Sequence, residues 1–337
     1  MTSVLDHQIV GDLRELLACD APQQFVSRAL IGPVQRLCTR LALPLPQQIA
    51  GNLVVGDLDT AAFVLSAHLD EASFSVTTIL PSQITLAACH RLPAGFDRAD
   101  ISMIGVRDTQ AISLGQAELR MVEGLLIADT CGDIRLGDRA VYHRPATAEG
   151  DLLTSKAIDD RVGTVIALHA AQRLTRAGLP VAVVLSDGEQ NRPETYFSRT
   201  FPHLLHRLHP EARIIFVDGI FHDGLLREGI HGAQPGALVV PHSGDGAGYS
   251  VEPDLYALLR DLLVPAAVAV GIDVRVSGAY HSRGDDWGLV TNPRGVEHDA
   301  FFVSFGGWGP TPAVRTIDLA CLGNCVDFIA FAAEHLS

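Results

Sequence analysis

The chain has little of what marks a membrane, secreted or nucleic-acid-binding protein. No stretch of its 337 residues approaches the roughly 20 consecutive apolar residues of a membrane-spanning helix, so no membrane partner is expected. It has no Lys/Arg-rich run, and 25 basic against 39 acidic residues leave a net charge of −14. That balance argues against nucleic acid or an anionic bilayer as a partner. The opening "MTSVLDHQIVGDLRELLACD" lacks a basic segment followed by an apolar one, so no secretory leader is read there. The cysteines (Cys19, Cys38, Cys89, Cys131, Cys321 and Cys325) are scattered, unlike a disulfide framework. Cys321 and Cys325 stand four apart in an apolar helical pattern and read as buried thiols. A cytoplasmic protein is the expectation. Internal repeats and low-complexity segments are missing as well.

What is there is a folded composition, 47% hydrophobic and 19% charged, on a chain long enough for a main domain and a smaller one. Two helices are read near 8–19 and 22–41, then strands "NLVVGDL" and "AAFVLSAHL". From Ser73 to Gly150 short runs such as "SVTTIL", "ITLAACHRL" and "LRMVEGLLIAD" alternate with turn residues, the texture of an antiparallel β insert. Afterwards helices and hydrophobic strands alternate again, closing with a helix read from "IDLACLGNCVDFIAFAAEH". The predicted fold is α/β, a three-layer sandwich with a largely parallel mixed sheet and an inserted small β-barrel-like domain. The expected domains are 1–72 with 151–337, and an insert over 73–150 that serves assembly.

Three predicted strands end in acids, "VLSAHLDE", "VVLSDGEQ" and "IIFVDG", and a fourth acidic cluster, "SKAIDDRVG", opens a helix. Open α/β sheets bind ligands beyond the carboxyl ends of their strands. The candidates are therefore His68, Asp70, Glu71, Asp159, Asp160, Asp187, Glu189 and Asp218. Singly, each has a plain structural reading: Asp187 as a helix cap, Asp159 and Asp160 against a helix dipole, His68 as a hydrogen-bonded core residue. Together they would repel one another at one sheet edge, and a divalent cation resolves that conflict. Imidazole with carboxylates suits zinc, with cobalt or manganese as alternatives.

"AHLDEASFSV", "SKAIDDRVG" and "FVDG", in this order around a β insert, resemble the tetrahedral or glutamyl-aminopeptidase family of dinuclear metallopeptidases. "GNLVVGD" and "RGDDWG" fit the same pattern. The resemblance implies that His68 binds a first metal, with Asp70 orienting it from behind. It further implies Asp159 as the bridging carboxylate, Asp218 as another ligand of the first metal, and structural roles for Asp160 and Arg161. The many short strands of the insert leave edges and apolar faces that a monomer must cover, so a homo-oligomer with dimers as building blocks is expected; a dodecamer is implied by the resemblance alone.

Two family elements are altered. Paired glutamates, a general base followed by a ligand of the second metal, are replaced by "VVLSDGEQNR". Aligned without gaps, Glu189 falls on the base and Gln190 on the ligand; this register is preferred because it leaves a proton acceptor. In the alternative register, shifted by one residue, Glu189 is the metal ligand and Gly188 stands where the base belongs. The C-terminal histidine of the second metal is missing from "FGGWGPTPAVRTIDL", where Pro310 or Thr311 takes its position. His281 and His298 are spatial substitutes in principle, each better read as structural. The functional expectation is a metal-dependent, aminopeptidase-like hydrolase holding one or two ions per chain, tight binding saturating near one. Its substrate would be a peptide or small amide, cleaved by metal-activated water. The alternatives are a specialised biosynthetic enzyme and a catalytically inactive binding protein.

Overall fold

Strands buried on both faces read as unbroken apolar runs, and four such runs form the middle of the main sheet. A computed structural model describes residues 7–90, 92–129, 132–190, 200–222, 234–243, 248–278, 286, 289, 298–311 and 314–337, without the side chains of 222, 310, 311 and 314. Helices α1 (His7–Leu17), α2 (Val26–Ala29) and α3 (Ile31–Arg40) come first, then strands β1 (Gln47–Ile49), β2 (Asn52–Val55) and β3 (Phe63–His68). Six strands follow: β4 (Ser73–Ile79), β5 (Gln83–Ala88), β6 (Arg98–Arg107), β7 (Gln110–Val122), β8 (Leu125–Asp129) and β9 (Arg139–Tyr142). The chain continues through β10 (Thr147–Glu149), β11 (Leu152–Ser155), α4 (Ile158–Arg176), β12 (Val181–Ser186), β13 (Arg213–His222) and β14 (Ala237–Val240). Helix α5 (Pro253–Leu258) runs through a π-helical turn into α6 (Val264–Ala269), and β15 (Val274–Val276), β16 (Ala300–Thr311), β17 (Val314–Asp318) and α7 (Ala320–Leu336) complete the fold.

The main sheet is mixed and eleven-stranded, in the order β1-β2-β12-β3-β13-β16-β17-β11-β10, with β14 on β16 and β15 on β14. Its centre, β12-β3-β13-β16, is parallel, and antiparallel strands flank it. This is the α/β architecture the alternation predicts. Helix α4 packs on β3, β12 and β13, and α1 and α7 pack on α4. That burial explains why Val162, Val165, Ile166, Leu168 and Leu174 surround α4 rather than forming one stripe.

The six strands β4 to β9 close into a barrel, β4-β5-β8-β7-β6-β9. It has its own core, in which Phe74, Met103, Leu119 and Tyr142 are buried. Closure pairs every edge, so unpaired barrel edges are not what would drive self-association. Two local readings change. "VRTID" is strand β17, because β16 and β11 offer it backbone partners on both sides, and the last helix begins only at Ala320. Thr147–Glu149, inside the range expected for the insert, pairs with β11 in the main sheet. Among the described residues no helix is long and apolar enough to cross a membrane.

A buried charge cluster fastens α1 to the ends of β3 and β11. Glu71 Oε1 accepts hydrogen bonds from Ala21 N at 2.7 Å and Arg161 Nη2 at 3.1 Å, while Oε2 faces Lys156 Nζ at 2.9 Å. The wholly buried Arg161 also donates to the carbonyls of Leu69, Leu16 and Cys19, and Lys156 pairs with Asp20. Removing one member of such a cluster leaves its partners charged and dry, at a cost of about 3–5 kcal/mol. Glu71→Ala is therefore expected to lower the unfolding free energy by about 3 kcal/mol in urea titration; a loss below about 0.5 kcal/mol would contradict the assignment.

Candidate metal centre

The parallel strands deliver their acids to one edge. His68 is the last residue of β3 and lies beside Ser186, the last residue of β12. Glu189 follows β12 directly, and Asp218 stands within β13. Asp159 and Asp160 sit at the irregular start of α4, where the Asp159–Asp160 peptide is cis.

The imidazole organises the cluster. Its Nδ1 lies 3.1 Å from the Asp70 carbonyl oxygen and 3.5 Å from Asp70 Oδ1. Both are acceptors, so this nitrogen carries the proton. Its Nε2 then faces Asp159 Oδ1 at 3.1 Å and Glu189 Oε2 at 3.3 Å. Ligand atoms of His68, Glu189 and Asp218 all lie within 4.8 Å of one another, and the Asp159 and Asp218 carboxyls are within hydrogen-bonding reach. Two donors each ~2.0–2.1 Å from a tetrahedral ion are about 3.3 Å apart, which the 3.1 and 3.3 Å separations from His68 Nε2 match. One imidazole with carboxylate oxygens is also the right donor set.

The electrostatics show what such a cation would relieve. Burial pushes the Glu189 carboxyl well above its usual range, opposed by His68 and reinforced by Asp218, Asp159 and Asp70. Burial and the neighbouring Asp159 do the same to Asp218. Burial disfavours the His68 cation, yet the charge of Glu189 and the contacts with Asp159 and Asp70 raise its pKa well above the ordinary value. Asp159 behaves differently. Burial raises it, but the His68 hydrogen bond and the Arg315 charge prevail and hold it at about 2.

Asp70 couples two strand ends, since its Oδ1 accepts from Glu189 N at 3.2 Å and its Oδ2 from Gln190 N at 2.9 Å. The remaining candidates separate from the cluster or support it. Asp160 accepts the backbone N–H of His68 at 3.3 Å and of Gly163 at 3.0 Å, a local scaffold. Glu71 belongs to the charge cluster with Lys156 and Arg161, which corrects its reading as a metal candidate: two cations already answer it. Asp187 accepts from the backbone N–H of Gln24 at 2.8 Å and from that of Val26, and so caps the segment entering α2. Burial first, then the Asp70 charge, push its carboxyl up to about 8.

His298 stays structural. Its Nδ1 donates to the carbonyl of Ala212, just before β13 begins, at 3.2 Å. Asp218 lies six residues further on, roughly 20 Å along the strand. His281 lies outside the described residues, as do the side chains of Pro310 and Thr311. Arg315 was not anticipated: its Nη2 lies 3.5 Å from Asp159 Oδ2, and its guanidinium carbon is 4.1 Å from the Phe221 ring centroid.

No protein-family model matches this sequence and no curated protein matches it. Solved structures do. An aminopeptidase from the archaeon Desulfurococcus kamchatkensis aligns with TM-score 0.75 at 18% identity, over 97% of this chain and 95% of that one. The TET aminopeptidase of a marine-sediment Thaumarchaeota archaeon gives TM-score 0.76 at 14% identity, over 98% and 97%. PhTET1 as a dodecamer gives 0.76 at 15% identity, over 96% and 98%. At such identities the likeness is one of fold: from end to end, this chain has the fold of the tetrahedral aminopeptidases.

Proposed function

We propose that the protein is an aminopeptidase-like amide hydrolase working with one divalent ion. The ion, zinc with cobalt or manganese as alternatives, would be held by His68 Nε2, Asp159 Oδ1 and Asp218. The observation that carries this reading is the imidazole, whose Nδ1 proton is committed to Asp70 while Nε2 faces carboxylate oxygens at 3.1 and 3.3 Å. A bound ion would supply Lewis acidity, lowering the pKa of a coordinated water and polarising a carbonyl.

The chain's own residues do the rest. Asp70 fixes the His68 tautomer and ring orientation, which raises the basicity of Nε2. Asp159, held ionised, suits a ligand that stays anionic. Glu189, with its pKa raised, suits a group that gains and loses a proton: it would take one from water and deliver it to the departing amine. Gln190 and Arg315 set the centre apart from one that holds two ions, and they favour a specialised small amide over general peptide trimming. A binding protein without catalysis is the contrary reading, and a panel of aminoacyl-anilides with zinc, cobalt or manganese separates the two.

The proposed division is a metal-binding domain, 1–72 and 151–337, carrying the 73–150 insert. Assembly is proposed from the neighbours: PhTET1 is a dodecamer, and the Pyrococcus horikoshii TET1 peptidase can assemble into a tetrahedron or a large octahedral shell. Leu262, Val268 and Val270 around α5–α6 are 62%, 52% and 68% exposed, apolar surface that a subunit contact would cover. Light scattering at micromolar concentration should then give a multiple of the 36.0 kDa chain; a monomer would count against assembly. Glu189→Gln should keep its metal while turnover falls by a factor of about 10² or more. Loss of metal in that variant would make Glu189 a ligand instead.

A further inference from the structure

We propose that the Arg315 guanidinium takes the place of a second metal ion, as a fixed cation on the outer oxygen of Asp159. This rests on the one-ion reading above. A carboxylate that bridges two metals gives one oxygen to each. Asp159 divides its oxygens in the same way, with Oδ1 3.1 Å from His68 Nε2 and Oδ2 3.5 Å from Arg315 Nη2. The inner oxygen faces the imidazole of His68 and the outer one faces a guanidinium.

The guanidinium is positioned by the fold. Antiparallel pairing sets Arg315 of β17 opposite Ser155 of β11. Its Cζ lies 4.1 Å from the centroid of the Phe221 ring, within the range where a ring face attracts a cation. Phe221 is seated in turn by two glycines: a Cβ on Gly219 would overlap its ring, and one on Gly307 would come within 2.7 Å. Strand register, an aromatic platform and a carboxylate thus fix one charged group.

The neighbouring donors agree. Gln190 Nε2 donates to Glu189 Oε2 at 2.9 Å, so that neutral amide turns an N–H, not a ligand oxygen, toward Glu189. A guanidinium cannot be deprotonated in a folded protein. It therefore cannot surrender its charge to admit a divalent ion, as a lysine or histidine can. The ion count is set at one by a side chain that no change in metal supply removes.

Cobalt(II) titration of the metal-free full-length chain, read by visible absorption and equilibrium dialysis, tests this. The wild type should bind one ion tightly and no second ion of comparable affinity. Arg315→Met keeps a stem against Phe221 but drops the charge, and should strengthen second-ion binding by about tenfold or more, since a like charge no longer opposes it. Arg315→Lys, titrated at about pH 6 where an ammonium holds its proton, keeps the charge and should gain far less than the Met variant. Arg315→Gln repeats the test if circular dichroism shows the Met variant unfolded. A second tight ion in the wild type overturns the proposal. So does an unchanged second-ion affinity in a folded charge-free variant, or an equal gain in Arg315→Lys. Failure of the one-ion reading looks different: the wild type would hold no ion tightly, or His68→Ala would leave first-ion affinity unchanged.

Discussion

Carboxylates crowd a place where water is scarce. Asp70, Asp159, Asp160, Glu189 and Asp218 gather around His68 at the carboxyl edge of the parallel strands, and Asp70 and Asp160 are wholly buried. Anions taken out of water and set beside one another are strongly unfavourable unless cations or directed hydrogen bonds answer them. The centre is arranged around that requirement. Asp70 and Asp160 are answered by backbone N–H groups, Asp159 by His68 and Arg315. Asp160, Glu189 and Asp218 nevertheless keep raised pKa values, because burial and neighbouring carboxylates outweigh those contacts; a bound cation would relieve them.

The scaffold keeps that centre separate from an adjoining charge cluster. Glu71 is three residues from His68 in sequence, yet it serves Lys156, Arg161 and the backbone of Ala21. Arg161, two residues from Asp159, reaches away to the end of α1. The residues of two short motifs, "HLDE" and "IDDR", are divided between the candidate metal centre and its mounting. Replacing either set would disturb the other through the shared backbone of β3 and α4.

Much of this is legible in the sequence, for identifiable reasons. Strands buried on both faces announce themselves as apolar runs, so β3, β12 and β13 and their acidic ends can be placed from spacing alone. The barrel announces itself through short strands and frequent turns. Other features depend on partners remote in sequence. The short strand β17 exists because β16 and β11 pair with it, and its residues read equally well as the start of a helix. Glu71 reads as a candidate ligand until Lys156 and Arg161, about 90 residues away, are seen to claim it. Arg315 escapes for the same reason, since an arginine in an ordinary strand looks solvated until Asp159 and Phe221 are brought beside it. The neutral Gln190, by contrast, is visible at once in "VVLSDGEQNR".

On the proposed reading, the tetrahedral-aminopeptidase fold carries a centre for one ion, with the Arg315 guanidinium standing in the second cationic position. An anomalous-scattering map from crystals of the full chain soaked in cobalt addresses this most directly. A single peak is expected among His68 Nε2, Asp159 Oδ1 and Asp218, with the guanidinium of Arg315 alongside the outer oxygen of Asp159. No peak there, or a second strong peak between Asp159 and Arg315, would contradict a one-ion centre.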